Sequence, residues 1–151
     1  MSKKTKNLQY YEGIGRRKKA VARVRLYLPG KDKTAQINGL KVKAGEVYVN
    51  GKPIETIFAQ KTEEKIYRLP LEITESTDRF AISINVSGGG RKGQVEAIAH
   101  GIAKALILVD EKEYKPILRK YGLLTRDPRV RQRRQVGTGG KARRKKQSPK
   151  R

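Results

Sequence analysis

The chain has 151 residues, of which 37 are Lys or Arg and 14 are Asp or Glu, so its formal net charge is +23. It contains no cysteine and a single histidine, which excludes disulfide bonds and argues against thiolate or histidine metal sites. A chain this basic repels itself in water, so we expect it to reside beside a polyanion, without a metal or a cofactor.

The length of the chain suits one domain and a tail. We predict a mobile basic N-terminus over residues 1–9, a single domain over residues 10–122 and an extended basic tail over residues 123–151. The sequence shows no apolar segment typical of a signal peptide and no run near the roughly 18 apolar residues of a membrane span. We therefore expect a cytoplasmic protein.

The first predicted strand begins at Ala20, where apolar and polar residues start to alternate. A period of two indicates a strand with one buried face, which would carry Ala22, Val24, Leu26 and Leu28. The other face carries Arg23, Arg25 and Tyr27, a combination of guanidinium groups and a ring that suits phosphates and bases. Four consecutive cations, Arg16, Arg17, Lys18 and Lys19, precede the strand and favour a nucleic acid over an ordinary solvated face.

A hairpin-like excursion is predicted to follow. Residues 35–37 and 46–49 are expected to be its short strands, separated by Asn38-Gly39 and closed by Asn50-Gly51. Asn-Gly pairs favour the positive φ angles of tight turns.

Two short helices are predicted after this excursion. The first covers residues 53–58, because proline is favoured in the first turn of a helix. The second runs from Thr62, a candidate N-cap, to Arg68. It is expected to stop before Pro70, because proline disfavours helical geometry in the residue that precedes it.

The clearest predicted strand covers residues 79–87 and runs into the glycine turn at residues 88–90. The amphipathic pattern that follows predicts a helix ending near Asp110. A last helix is expected over residues 113–121, with Gly122 as its left-handed stop. Strands in one layer and helices in the other predict an α+β two-layer sandwich.

The glycine turn admits three interpretations. Gly88, Gly90 and Gly93 spell G-x-G-x-x-G, but no parallel strand is predicted directly after the helix, which argues against a dinucleotide enzyme that binds NAD or FAD. Backbone N–H groups at a helix N-terminus also attract phosphate, and Arg91 and Lys92 would add charge. A simple reversal of the chain explains any one glycine about as well.

The sequence offers no constellation for catalysis. His100 has no second histidine or cysteine to pair with, so we interpret it as a packing, hydrogen-bonding or phosphate-contact residue. The acids do not group beside a nucleophile, and no enzyme is expected. The competing class is a free regulatory protein that binds DNA or messenger RNA through a basic tail.

From Arg126 onward the tail holds twelve Lys or Arg against one acid, Asp127, and its large apolar residues are Val130 and Val136. Such a segment buries too little surface to offset the entropy of ordering, so we expect it to be disordered alone or folded onto phosphate backbone. A loose charge tract, such as a localisation signal, is the alternative. The particular composition of residues 123–129 argues against that alternative.

Four motifs follow one another along nearly the whole chain. They are YEGIGRRKKAVARV at residues 11–24, GGG at 88–90 with GQ at 93–94 and AIAHGIA at 97–103, LLTRDPRV at 123–130, and KARR at 141–144 with a terminal KR. Together they resemble the family of small-subunit ribosomal protein S9, in its bacterial type.

The resemblance implies a left-handed βαβ fold like the second domain of ribosomal protein S5, bound to ribosomal RNA in the head of the small subunit beside neighbouring head proteins. It also implies a structural role in translation, in which Lys150 and Arg151 at the tail's end reach the anticodon stem-loop of the P-site tRNA. The residues that we expect on ribosomal RNA, from the resemblance or from their charge and position, are Arg16, Arg17, Lys18, Lys19, Arg23, Arg25, Gly89, Gly90, Arg91, Lys92, Arg126, Arg129, Arg131, Arg133, Arg134, Lys141, Arg143, Arg144, Lys145 and Lys146.

Two departures from the family pattern stand out. The family usually ends in an aromatic residue followed by Ser-Lys-Arg, whereas this chain ends in Gln147-Ser148-Pro149-Lys150-Arg151. The charges at the terminus remain, but the ring that could stack there does not. The segment from Lys33 to Tyr48 is also longer than the usual short hairpin. We interpret it as an insertion that reaches further along RNA or toward a neighbouring protein.

Overall fold

The computed structural model describes residues 10–30, 32–37 and 39–140. The predictions for the N-terminal segment, and those for the contacts of Lys150 and Arg151, lie outside the described residues. Over the described ranges the fold is α+β, as expected, with a five-stranded mixed sheet, a two-stranded hairpin and four helices. No helix in these ranges is long and apolar enough to cross a membrane.

The strands come mainly from the first half of the described chain and the helices mainly from the second half. In chain order the elements are β1 (Tyr10–Arg17), β2 (Ala20–Tyr27), β3 (Thr34–Ile37), β4 (Leu40–Lys43), β5 (Val47–Val49), β6 (Lys52–Pro53), α1 (Ile54–Ile57), α2 (Lys61–Ile73), β7 (Ala81–Ser87), α3 (Arg91–Val109) and α4 (Glu111–Lys120). The main sheet has the strand order β1-β2-β7-β5-β6, and β5 runs parallel to β7. Helices α1 and α2 lie between those two parallel strands in the chain. The left-handed βαβ fold that the resemblance implies stays a prediction.

One face of the main sheet packs against the helices. The alternation that predicted β2 and β7 is confirmed, because Val24, Leu26, Ile82 and Ile84 are fully buried in one core with Ile98 of α3. Leu28, which was expected on the same face, lies beyond the end of β2 and is 42% exposed.

Strand β1 was not predicted, because its inward positions are glycines and give no apolar alternation. Gly13 and Gly15 face α3, and the backbones meet there. A Cβ built on Gly15 would lie 1.9 Å from the carbonyl oxygen of Ala97, and one built on Gly13 would lie 2.3 Å from that of Gly101. The glycines therefore let β1, whose last two residues are Arg16 and Arg17, lie directly on the helix.

The hairpin of β3 and β4 packs on the other face of the sheet. Its inward residues Ala35, Ile37 and Val42 form a second buried cluster with Tyr27 and Ala81. The predicted partners of this hairpin were wrong. Strand β3 pairs with β4, whereas β5 pairs with β6 across the turn at Asn50-Gly51 and joins the main sheet beside β7.

The predicted boundaries of two helices were also wrong. Helix α2 continues through Pro70 to Ile73 and starts after Gln60 rather than with a Thr62 cap. The burial of Pro70 and Leu71 offsets the backbone hydrogen bond that proline removes, so packing overrides the local preference. Helix α4 starts at Glu111, because the Asp110 side chain accepts a hydrogen bond from the Glu113 N–H at 3.1 Å.

Candidate nucleic-acid interface

Three segments that are distant in sequence meet around one open cleft of about 880 Å³. Lys18 and Lys19 line it from the turn between β1 and β2, and Gly89 and Gly90 line it from the glycine turn. Tail residues 130–137, 139 and 140 line the rest. Among the described residues the lining includes five cations and no acid.

The two turns that line this cleft are built on unusual backbone angles. Lys18 has φ 51°, and Gly88 and Gly89 have φ 69° and 66°. A Cβ on Gly88 would lie 2.5 Å from the carbonyl oxygen of Lys19, and one on Gly89 would lie 2.8 Å from the backbone nitrogen of Ala20. The close packing of the two turns therefore explains why glycine is required at positions 88 and 89, whereas no atom of the described residues lies within 4 Å of a Cβ built on Gly90.

Helix α3 begins at this cleft. Gly90 is its N-cap residue, and no side chain of the described residues caps the first turn. The early N–H groups of the helix therefore remain directed at any anion that enters the cleft. After α3 the chain continues into α4 rather than into a strand, so the dinucleotide-binding interpretation lacks its second parallel strand in the described part of the chain.

Arg91 and Lys92 differ in their surroundings. The Arg91 guanidinium donates two hydrogen bonds to the Glu63 carboxylate, at 2.7 and 2.9 Å. This pairing lowers the pKa of Glu63, whose side chain is only 8% exposed. Lys92 is exposed. Arg91 thus holds α2 against the start of α3, while the amine of Lys92 faces solvent.

The start of the tail is attached to the domain. Gly122 adopts φ 69° and ends α4 as predicted, and the Leu123 N–H donates to the carbonyl oxygen of Leu118 at 3.1 Å. Leu123 and Leu124 then pack against the main core.

His100 connects this part of the tail to β1 and α3. Its Nδ1 accepts a hydrogen bond from the Arg16 N–H at 3.4 Å, and its Nε2 lies 3.3 Å from the carbonyl oxygen of Leu124, a geometry that suits a neutral ring protonated on Nε2. Burial lowers the pKa of His100, and the charge of Lys104 lowers it further. The hydrogen-bonding interpretation of this residue accounts for its position.

Arg17 and Arg129 surround Asp127. The Arg17 Nη2 lies 3.1 Å from Asp127 Oδ2, its Nη1 donates to the carbonyl oxygen of Arg129 at 3.0 Å, and its Nε pairs with Glu96 of α3. Arg129 donates from its Nε and Nη2 to the same Asp127 carboxylate at 3.0 and 2.7 Å. The hydrogen bonds from Arg129 hold the pKa of Asp127 well below its usual range.

Arg23 and Arg25 lie on the sheet face that points away from α3. The Arg25 Nε lies 2.8 Å from Glu12 Oε2, and Arg23 lies 3.4 Å from the other oxygen of the same carboxylate. The Arg25 guanidinium also stacks 4.9 Å from the ring centroid of Tyr10. Tyr27, expected on an open face, is buried under the hairpin.

The structure thus divides the predicted sites into groups. The cleft brings together Lys18, Lys19, Gly89, Gly90, Arg131, Arg133 and Arg134. The guanidinium groups paired with carboxylates are those of Arg17, Arg23, Arg25, Arg91 and Arg129. Arg16, Lys92 and Arg126 are exposed, and Lys141, Arg143, Arg144, Lys145, Lys146, Lys150 and Arg151 lie outside the described ranges.

Sequence reasoning gave no role to the acids that hold these arginines. Glu12, Glu63 and Glu96 carry no distinguishing local pattern, whereas Asp127 stands out as the single acid of the tail. Within residues 10–30, 32–37 and 39–140 no three acidic or histidine side chains cluster closely enough to hold a metal ion.

A scan of protein-family models matches residues 15–151 to the family described as ribosomal protein S9/S16. The match covers the turn between β1 and β2, the glycine turn, α3 and the entire tail, and so includes the segments that line the cleft.

Proposed function

The chain belongs to the ribosomal protein S9/S16 family and is therefore a structural constituent of the ribosome, and we propose that the cleft between its two turns and its tail holds a stretch of small-subunit ribosomal RNA. Membership of this family implies binding to ribosomal RNA and points to a non-enzymatic role in translation.

The composition of the cleft is the observation that supports this proposal. Over residues 10–30, 32–37 and 39–140, five cations from two distant parts of the chain line the cleft, and no acid does. Its volume of about 880 Å³ is comparable to cavities that enclose a drug-sized molecule, so a short length of RNA backbone fits. Phosphates placed there would meet lysine and arginine side chains and the first N–H groups of α3.

We further propose that the last two residues of the tail, Lys150 and Arg151, contact the P-site tRNA in the head of the small subunit. The support is the family membership and the acid-free run of cations from residue 130 to the terminus. Contacts to the phosphate backbone tolerate sequence changes, so removing both residues should loosen the tRNA without stopping translation. Unchanged P-site tRNA affinity in such ribosomes, at both low and high salt, would contradict this part of the proposal.

The cleft is tested by changing its cations in the full-length chain. Lys18→Ala with Lys19→Ala should weaken binding to a small-subunit ribosomal RNA transcript, and each lost phosphate contact should reduce the steepness of log K against log salt by about 0.7–0.9. Lys61→Ala with Lys65→Ala is the control, because both lysines are exposed on α2 and neither lines the cleft. Equal losses of affinity in the two double variants would show that only total charge matters.

A further inference from the structure

We infer that Asp127, an acidic residue within the basic tail, is a positioning residue for RNA binding, because it fastens the tail to Arg17 and so fixes where the cationic run starts. This inference rests on the proposed function of the cleft. It assigns a supporting role to a side chain whose own charge repels RNA.

The contacts converge on one guanidinium. Arg17 lies 3.1 Å from the Asp127 carboxylate, and it also donates to the main-chain carbonyl oxygens of Asp127 at 3.5 Å and Arg129 at 3.0 Å. Its side chain is only 14% exposed, so these interactions are partly shielded from water. A guanidinium with several fixed acceptors specifies direction as well as distance.

Arg17 is itself rigidly held, which is why its contacts can position the tail. It lies at the end of β1, a strand whose glycines rest on the backbone of α3. Its Nε pairs with Glu96 of that helix. The attachment therefore runs from α3 through Arg17 to Asp127, without a flexible link longer than one side chain.

A second attachment holds the other end of the same segment. The Leu124 carbonyl oxygen lies 3.3 Å from His100 Nε2, and Leu123 and Leu124 pack on the core. Residues 123–129 are thus fixed at two points, and the residues that line the cleft begin directly afterwards, at Val130. Without the contacts of Arg17 with Asp127 and Arg129 the free chain would start some five residues earlier, which would spread the cations of the tail over a larger volume and lower their effective concentration at the cleft.

Electrostatics alone makes the opposite prediction. If the tail acted only through its charge, replacing Asp127 by a neutral residue would raise the net charge from +23 to +24 and strengthen RNA binding. The sign of the effect therefore separates a positioning residue from an incidental acid.

The experiment measures the affinity of the full-length chain for a small-subunit ribosomal RNA transcript at several salt concentrations. Asp127→Asn is compared with Glu72→Gln, which removes one exposed acid on α2 and so produces the same change in net charge. We expect Asp127→Asn to weaken binding about three- to tenfold through the lost effective concentration, and Glu72→Gln to leave it unchanged or slightly tighter. The salt dependence should stay the same in both variants, because no lysine or arginine is lost. Binding by Asp127→Asn that is as tight as binding by Glu72→Gln would overturn the inference.

Two further measurements complete the test. Arg17→Gln should weaken binding more in the wild-type background than in the Asp127→Asn background, because the ion pair of Arg17 with the Asp127 carboxylate is already lost in the latter. Hydrogen exchange in the free protein should show faster exchange over residues 123–129 in Asp127→Asn than in wild type. Equal exchange in the two proteins would count against the attachment even if the affinities differed.

A full-length triple variant with Arg131, Arg133 and Arg134 replaced by Gln separates this inference from the proposed function. If that variant binds RNA as tightly as wild type, the cleft proposal fails. If it binds weakly while Asp127→Asn behaves like Glu72→Gln, the cleft stands and only the role of Asp127 fails.

Discussion

Replacing Gly15 by alanine should be among the most damaging single changes in the chain, although it adds only one methyl group. The new Cβ would lie 1.9 Å from the Ala97 carbonyl oxygen and 2.4 Å from the Gly101 nitrogen, whereas ordinary contacts begin near 3.4 Å. β1 and α3 would have to separate by about 1.5 Å at this point. Neither side can yield by rotating a side chain, because the obstructing atoms belong to the backbone.

The cost can be judged from what α3 holds in place. Ala97, Ile98, Ile102 and Ala105 of that helix are completely buried, so moving it opens gaps along the main core. Overpacking usually costs about 1–3 kcal/mol, and we expect at least about 3 kcal/mol here because relief by a rotamer change is excluded. That is a large part of the roughly 5–15 kcal/mol by which domains are stable, and it corresponds to a fall in Tm of at least about 10 °C.

Thermal and urea unfolding of the full-length chain, followed by circular dichroism, would measure this loss. Gly30→Ala is the matched control, because Gly30 is exposed, has no positive φ and has no atom of the described part of the chain within 4 Å of its Cβ position. That control should change the free energy of unfolding by less than about 0.5 kcal/mol. A Gly15→Ala protein as stable as the control would show that strand and helix are not in direct backbone contact.

Three further changes test other parts of the structure. Burial lowers the pKa of His100 below its ordinary 6.5, so the unfolded chain binds this proton more tightly than the folded chain does. The stability of the fold should therefore be full above pH 6.5 and fall below it. His100→Gln should make that fall smaller in urea unfolding measured across this pH range. Arg91 lowers the pKa of Glu63 below its ordinary 4.5, so the stability that this ion pair contributes should be present above pH 4.5 and be lost as the pH falls through the lowered pKa. In Glu63→Gln, the free energy of unfolding should not show this loss on acidification. Val42→Ala, in the cluster under the hairpin and 1% exposed, should cost about 2 kcal/mol in chemical unfolding, while Leu40→Ala, 45% exposed on the same hairpin, should cost much less.

Hydrophobic periodicity predicted the parts of the fold that bury large side chains on one face. β2, β7 and α3 show that pattern, and Gly122 marked the end of α4 as expected. β1 escaped prediction because Gly13 and Gly15 achieve close packing by having no side chain, and an absent side chain leaves no hydrophobic signal. The extension of α2 through Pro70 was missed because it depends on tertiary burial, which local propensity does not contain.

The candidate interface was predictable to a different extent. Its cations are evident in the sequence, and the cleft joins several of those that were expected to act together. Their pairing was not predictable, since Arg17 meets the carbonyl oxygen of Asp127 across 110 positions of the chain. A count of charges in the sequence assumes that every arginine is available to RNA. In the structure, Arg17, Arg91 and Arg129 are instead paired with carboxylates.

The acids are distributed unevenly along the chain, so the positive charge of the domain and that of the tail are balanced in different ways. Glu12 lies between Arg23 and Arg25, and Asp127 lies between Arg17 and Arg129, so a single carboxylate offsets the mutual repulsion of two guanidinium groups in each case. After Asp127 the sequence contains no further acid, although ten more Lys or Arg follow from residue 131 onward. The chain up to Arg129 holds 27 Lys or Arg and all 14 acids, so about half of its positive charges can be balanced internally, whereas the ten cations that follow have no acid of their own and depend on phosphate for counter-charge. The cations that have no acid of their own therefore follow Arg129, the last residue that Arg17 contacts.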